Sequence, residues 1–229
     1  MEGYGEKMFD FLKHGQQGVA QIDRSTPIKE MSYVVLDTEL TGLDEKKDSI
    51  VSMGAVRMTG GRIDVGDSFY RMVNPERALT KESSEAGIGK ALSEFMEYSG
   101  GDVLVGHCIS IDLEFIQRAM QKTSGMGLQN TALDTLSIYE WTRFRERHIS
   151  GESGSRADLS LSRIAEGLGI PVRGSHNALM DAFITAQVFQ VFISKLSSAG
   201  VLSIGELLDL GNPFRGGESF TLSCETGNF

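Results

Sequence analysis

The apolar positions of the chain fall into two periodicities. Tyr33-Val-Val-Leu36 is a short β-branched run that predicts a buried strand, ending in Asp37-Thr-Glu39. Ile50 to Met58 and Ile63 to Val73 read as two more strands, and Gly60-Gly61 between them predicts a hairpin. Asp102-Val-Leu-Val105 is a fourth strand, broken by Gly106, and Ala132-Leu133 begins a fifth. Helical spacing appears at Ala91 to Tyr98, Leu113 to Lys122, Leu136 to Arg147 and Leu159 to Leu168. The longest helical pattern is Asn177 to Lys195, with Ala178, Ala182, Phe183, Ala186, Phe189 and Phe192-Ile193 on its apolar side. Ser203-Ile-Gly-Glu206 reads as a capping box before Leu207-Leu208, and Gly211-Asn-Pro213 as the stop. Lys7 to Lys13 predicts a short amphipathic helix, and Ile149 to Arg156 a mobile loop. Three strands, then strands alternating with helices, predict an α/β fold around a mixed sheet. The expected layout is an N-terminal extension over 1–30, a main domain over 31–198, and a C-terminal helix and tail over 199–229.

The charged positions sit at the ends of these elements. Residues two apart on a strand share a face, so Asp37 and Glu39 project side by side. Like charges that close repel, and a cation relieves them; oxygen-only ligands select hard ions such as Mg²⁺ or Mn²⁺. The alternative is a strand ending in solvent with both carboxylates hydrated. Asp112 stands just before the apolar run of the second helix, where an N-cap belongs. His107, at a strand end, is either a ligand or a hydrogen-bonded structural group. Asp181 falls in the first turns of the long helix, and His176 precedes that helix with a ring free to swing towards the same place. A solvated carboxylate and a surface histidine remain the plain alternative.

Three segments taken together carry a resemblance. Asp37-Thr-Glu39-Leu-Thr-Gly-Leu43, His107 followed by Asp112, and His176-Asn-Ala-Leu-Met-Asp181-Ala182 resemble the three motifs of the DEDDh exonucleases. That family includes the proofreading epsilon subunit of bacterial DNA polymerase III, RNase T and oligoribonuclease. The similarity runs from about Tyr33 to about Leu196. It implies the RNase H-like fold, a five-stranded mixed sheet flanked by helices. It further implies 3′–5′ hydrolysis of terminal phosphodiesters in single-stranded nucleic acid, DNA favoured, releasing nucleoside 5′-monophosphates. Asp37, Glu39, Asp112 and Asp181 would hold two divalent ions, Mg²⁺ or Mn²⁺. His176 would be the general base, and Thr38, Leu40, Thr41 and His107 would meet the substrate. Some positions depart from the pattern. Leu79 to Ile88 is shortened and lacks the histidine of the usual His-Gly-Ile segment, Leu40 stands where Thr is frequent, and Cys108 and Ile111 stand where Asn and Phe are usual. These departures bear on substrate preference.

Charge and composition narrow the partners. A net charge of −9 over 229 residues argues against a protein that coats long nucleic acid, though not against one that grips a few nucleotides. Trp141, Arg143, Phe144, Arg145, Arg147 and His148 form an aromatic-basic cluster suited to phosphates and bases, or a solvated helix face. The first residues lack the apolar core of a signal peptide, and no run is expected to cross a bilayer, so a cytoplasmic protein without membrane contact is expected. Cys108 and Cys224 show no metal-binding spacing. Expected partners are DNA or RNA 3′ ends, with a DNA polymerase as a further candidate. Three competing functions stay open: an exoribonuclease for short RNA, a non-catalytic nucleic-acid-binding or scaffold module, and a subunit active only within a complex.

Overall fold

A computed structural model describes residues 22–44, 46–73, 81–150, 158–172 and 177–214, with backbone alone at 81–86 and 147–150. Five strands form one sheet: β1 (Ser32–Leu40), β2 (Ile50–Thr59), β3 (Arg62–Met72), β4 (Val103–Gly106) and β5 (Ala132–Asp134). Their order is β3-β2-β1-β4-β5. β2 pairs antiparallel with both β1 and β3, and β4 pairs parallel with both β1 and β5. The mixed α/β sheet is the one that the periodicities predict. Gly60 takes φ of 56° at the β2–β3 turn, which a residue without Cβ adopts cheaply.

Among the described residues, six helices cover the two faces: α1 (Lys81–Ser99), α2 (Ile109–Ser124), α3 (Thr135–Ser150), α4 (Leu161–Gly167), α5 (Ala178–Ser198) and α6 (Ile204–Leu210). The alternation of side chains along β1 sorts the core into two halves. Tyr33 and Val35 join Val56, Met58, Val103 and Val105 beneath α3, α4, α5 and α6. Val34 and Leu36 join Met53, Ala55, Phe69 and Leu104 beneath α1 and α2. Tyr33 meets Phe189 edge to face at 5.1 Å, fixing α5 over the centre of the sheet.

Three expectations need correction. The helix read as starting near Leu113 begins at Ile109, so Asp112 lies inside its first turn and is not the N-cap. Cys108 caps it through backbone shape alone, in the left-handed region at φ 54°. The helix read from Ala91 starts at Lys81, ten residues earlier. Third, α5 is by length and composition apolar enough to cross a bilayer, contrary to the expectation that no run would be. Here it is a core helix, with Ala182, Ala186, Phe189, Phe192 and Ile193 buried against the domain.

The capping box of α6 is present, with Ser203 and Glu206 bonding each other's backbone. Residues on either side of the main unit pack together: Ile28 N–H donates to Leu202 O at 2.9 Å and Ile204 N–H to Thr26 O at 2.8 Å. The amphipathic segment at Lys7 to Lys13 lies outside the described residues; of the loop read at Ile149 to Arg156, Ile149 and Ser150 are instead the last residues of α3, and the rest lies outside the described residues.

Candidate active site

The carboxyl end of β1 is where the sheet changes from antiparallel to parallel pairing, and the first turns of α2 and α5 converge there. Asp37 and Glu39 share the face of β1 that α5 covers. A register shift between Glu39 and Leu40 in the β1–β2 pairing marks a bulge beside them, a feature that re-aims side chains. Asp181 comes from the first turn of α5, where the helix dipole favours a negative charge. Asn177 caps that helix, accepting from Leu179 N–H at 3.1 Å and Met180 N–H at 3.3 Å. As a result, carboxylate oxygens of Asp37, Glu39 and Asp181 lie within 4.8 Å of one another.

Asp112 approaches from the opposite face. Thr38, one residue from Asp37, points towards α2 and grips it: its N–H donates to Asp112 Oδ1 at 2.9 Å and its hydroxyl at 2.6 Å. Both Thr38 donors are therefore spent on Asp112. Burial, with the charges of Asp112, Asp181 and Glu39 behind it, holds the Asp37 carboxyl well above its usual range. Burial also pushes Asp112 up to about 7, against the lowering effect of the Thr38 bonds. So much repulsion in one spot suits a cation, and the donors are all oxygen. The set fits a hard divalent ion.

Other expected substrate residues are engaged within the fold. Thr41 donates its hydroxyl to Asp48 Oδ1 at 2.8 Å and its N–H to Ser49 O at 3.0 Å. Leu40 packs against the core half beneath α1 and α2. His107 uses both ring nitrogens: Nδ1 lies 3.0 Å from the Thr135 hydroxyl and Nε2 lies 2.9 Å from Leu159 O. It ties the end of β4 to α3 and to the approach of α4. Two arginines of α3 lie over its own rings, Arg143 over Tyr139 and Arg145 over Trp141. His176 lies outside the described residues, as do the side chains of Arg147 and His148.

Burial lowers the His107 ring to about 4. A histidine whose folded pKa falls below its ordinary 6.5 supports the fold fully above that value. The support is lost as the pH falls towards 4. Between pH 7 and pH 5 the loss amounts to about 2 kcal/mol. Urea midpoints at the two pH values should show the wild type losing about that much more than His107→Gln. The other titrating groups contribute to both proteins and cancel, so equal losses would contradict the neutral buried ring.

Two residues that matter here escaped the sequence reading. Asp134 is fully buried and accepts from Cys108 N–H, Leu136 N–H and the Ser137 hydroxyl, bracing the turn that launches α2 and Asp112. Its signal was a carboxylate closing a buried strand, the same feature that singled out Asp37. Asp48 organises the segment after β1, accepting from Thr41 and from Asp44 N–H. It sits among other charges and carries no local mark.

Residues 34–189 match the RNase T family, an exonuclease family. A PolC-type DNA polymerase III of Thermotoga maritima is 29% identical over 190 residues, which are 78% of this chain and 13% of that protein. The DNA polymerase III subunit epsilon of Aquifex aeolicus is 30% identical over 177 residues, 72% of this chain and 82% of that protein. The chain thus spans most of the epsilon subunit but only a small part of the PolC-type relative. Among solved structures, E. coli exonuclease I in complex with a dT13 oligonucleotide aligns with a TM-score of 0.55 at 14% identity, over 75% of this chain and 43% of that one. Cell-death related nuclease 4 aligns with a TM-score of 0.55 at 16% identity, over 76% of this chain and 66% of that one. At such identities the likeness is one of fold.

Proposed function

Because the chain belongs to the RNase T family of exonucleases, we propose that it removes nucleotides one at a time from the 3′ end of single-stranded nucleic acid, DNA in preference to RNA. The observation that carries this reading is the meeting of Asp37, Glu39 and Asp181 within 4.8 Å, with Asp112 charging the same spot from the other face. Asp37, Glu39 and Asp181 would hold divalent metal, Mg²⁺ or Mn²⁺, and Asp112 would act at a second ion through water. Bound there, such ions supply electrostatic stabilisation of the phosphoryl oxygens and a more acidic water.

The chain's own residues do the rest. Thr38 holds Asp112 in place, and the Asn177 cap and helix dipole hold Asp181. His176 accepts the proton of the attacking water as general base, a task that its ordinary pKa of ~6.5 suits near neutrality. Water oxygen bonds to phosphorus, the bond from phosphorus to the 3′ oxygen breaks, and that oxygen leaves with a proton. The product is a nucleoside 5′-monophosphate and a strand one nucleotide shorter. We assign the chemistry to residues 31–198. A DNA polymerase is a candidate partner, which the similarity to polymerase III subunits supports.

The test uses 5′-labelled single-stranded DNA and RNA of matched sequence, with Mn²⁺, Mg²⁺ or chelator. Stepwise shortening from the 3′ end, dependent on metal and faster on DNA, is expected. Faster shortening of RNA would make it an exoribonuclease. Binding without cleavage under every condition would overturn the enzyme reading for the isolated chain.

A further inference from the structure

Asp181 must be delivered to Asp37 by α5, and the register of β1 and β2 shows how. Gly54 of β2 pairs directly with Asp37. A Cβ at Gly54 would point at the first turn of α5 and lie 2.2 Å from Leu179 N, 2.3 Å from Ala178 C and 2.5 Å from Ala178 O. All three are backbone atoms, so no side-chain rotation relieves them. Restoring an ordinary 3.4 Å contact from 2.2 Å requires the helix end to retreat by about 1.2 Å. Asp181 lies two residues beyond Leu179 and moves with it. The same turn is held from within by Asn177, whose side chain accepts from Leu179 N–H and Met180 N–H. Leu179 N–H is thus both pressed against Gly54 and bonded to the cap.

We infer that Gly54 and Asn177 are positioning residues for the Asp181 carboxylate: the bare backbone at Gly54 sets how close α5 comes to the sheet, and the Asn177 cap keeps the first turn wound at that distance. The inference rests on the reading of the acidic cluster as a metal site. A glycine within an otherwise apolar strand often marks such a close approach of a second backbone.

The experiment is a calorimetric titration of the chain with Mn²⁺, without nucleic acid, beside far-UV circular dichroism. Gly54→Ala should keep its secondary structure while its Mn²⁺ dissociation constant rises about 10–100-fold, the usual range when the support of a metal ligand is lost. Gly61→Ala lies on the same hairpin, where among the described residues a Cβ meets only Ile193 Cγ2 at 3.9 Å, and should bind as wild type does. Asn177→Ala should weaken binding in the same direction, and Asn177→Ser, which restores a capping oxygen, should recover it. A role in stability alone would lower the melting temperature and leave Mn²⁺ affinity unmoved. Folded Gly54→Ala with wild-type affinity overturns the inference. Should Gly54→Ala fail to fold, the Asn177 pair decides, and wild-type affinity in Asn177→Ala overturns it. A wild-type chain that binds no Mn²⁺ removes the metal reading itself, and this inference with it. Wild-type binding that the variants share removes only the inference.

Discussion

Asp37→Asn is expected to abolish turnover and to raise the stability of the metal-free protein. The two effects have one origin. Asp37 stands between Glu39 and Asp181 on one side and Asp112 on the other, partly buried, and its carboxyl is held well above its usual range by burial and those three charges. Asparagine keeps the shape and removes a repelled charge. A metal held at the reacting phosphate is worth several kcal/mol, so its loss should slow cleavage by about 10³-fold or more. The stability gain follows the sign of the shift. An acid whose folded pKa is raised favours the fold below its ordinary 3.8 and costs stability as the pH rises through the folded value. The advantage of Asp37→Asn should therefore vanish near pH 4 and be greatest at alkaline pH. In a chain of this size each kcal/mol appears as roughly 2–4 °C in melting temperature. Melting curves in chelator from pH 4 to 9, repeated with Mn²⁺, supply the check. Mn²⁺ should raise the wild-type melting temperature and leave the variant's nearly unchanged. A variant less stable than wild type at pH 8 in chelator would contradict the crowded-charge account, and retained activity would remove Asp37 from the site.

His176→Ala should separate proton transfer from metal binding. The residue directly precedes Asn177, the N-cap of the helix that carries Asp181. As a general base it would contribute about 10²–10⁴-fold, and its removal should lower kcat by that amount. The rise of melting temperature on adding Mn²⁺ should survive, because Asp37, Glu39 and Asp181 remain to hold the ion. The acid limb of the pH–rate profile, expected near ~6.5 for an ordinary histidine, should flatten in the variant. An unchanged rate and profile would transfer the proton to some other acceptor. His107 is a poor substitute, since both its nitrogens are bonded inside the fold.

Periodicity within a few residues is a local property, and it was readable without the fold. The apolar β-branched run from Tyr33 to Leu36, the Gly60-Gly61 hairpin and the Ser203–Glu206 capping box all depend on neighbours along the chain, and the structure has each of them. The same local rules placed Asp37 and Glu39 on one face of a strand and Asp181 near a helix start. They misjudged the start of α2, because Cys108 enters that helix through an unusual backbone angle that carries no sequence mark. They also left His107 open between two roles, since its partners Thr135 and Leu159 lie 28 and 52 residues away.

By itself, then, the sequence determined the element types, the α/β class and three segments of chemically distinctive residues, because these reside in short-range pattern and composition. Only the tertiary structure decided which groups meet. Thr38 finds Asp112 across 74 residues. Gly54 admits α5 to the sheet opposite Asp37. Asp134 braces the turn before α2 from 26 residues beyond Cys108. Such pairings are set by strand order and by the approach of one backbone to another, and neither is written in the spacing of residues along a single segment.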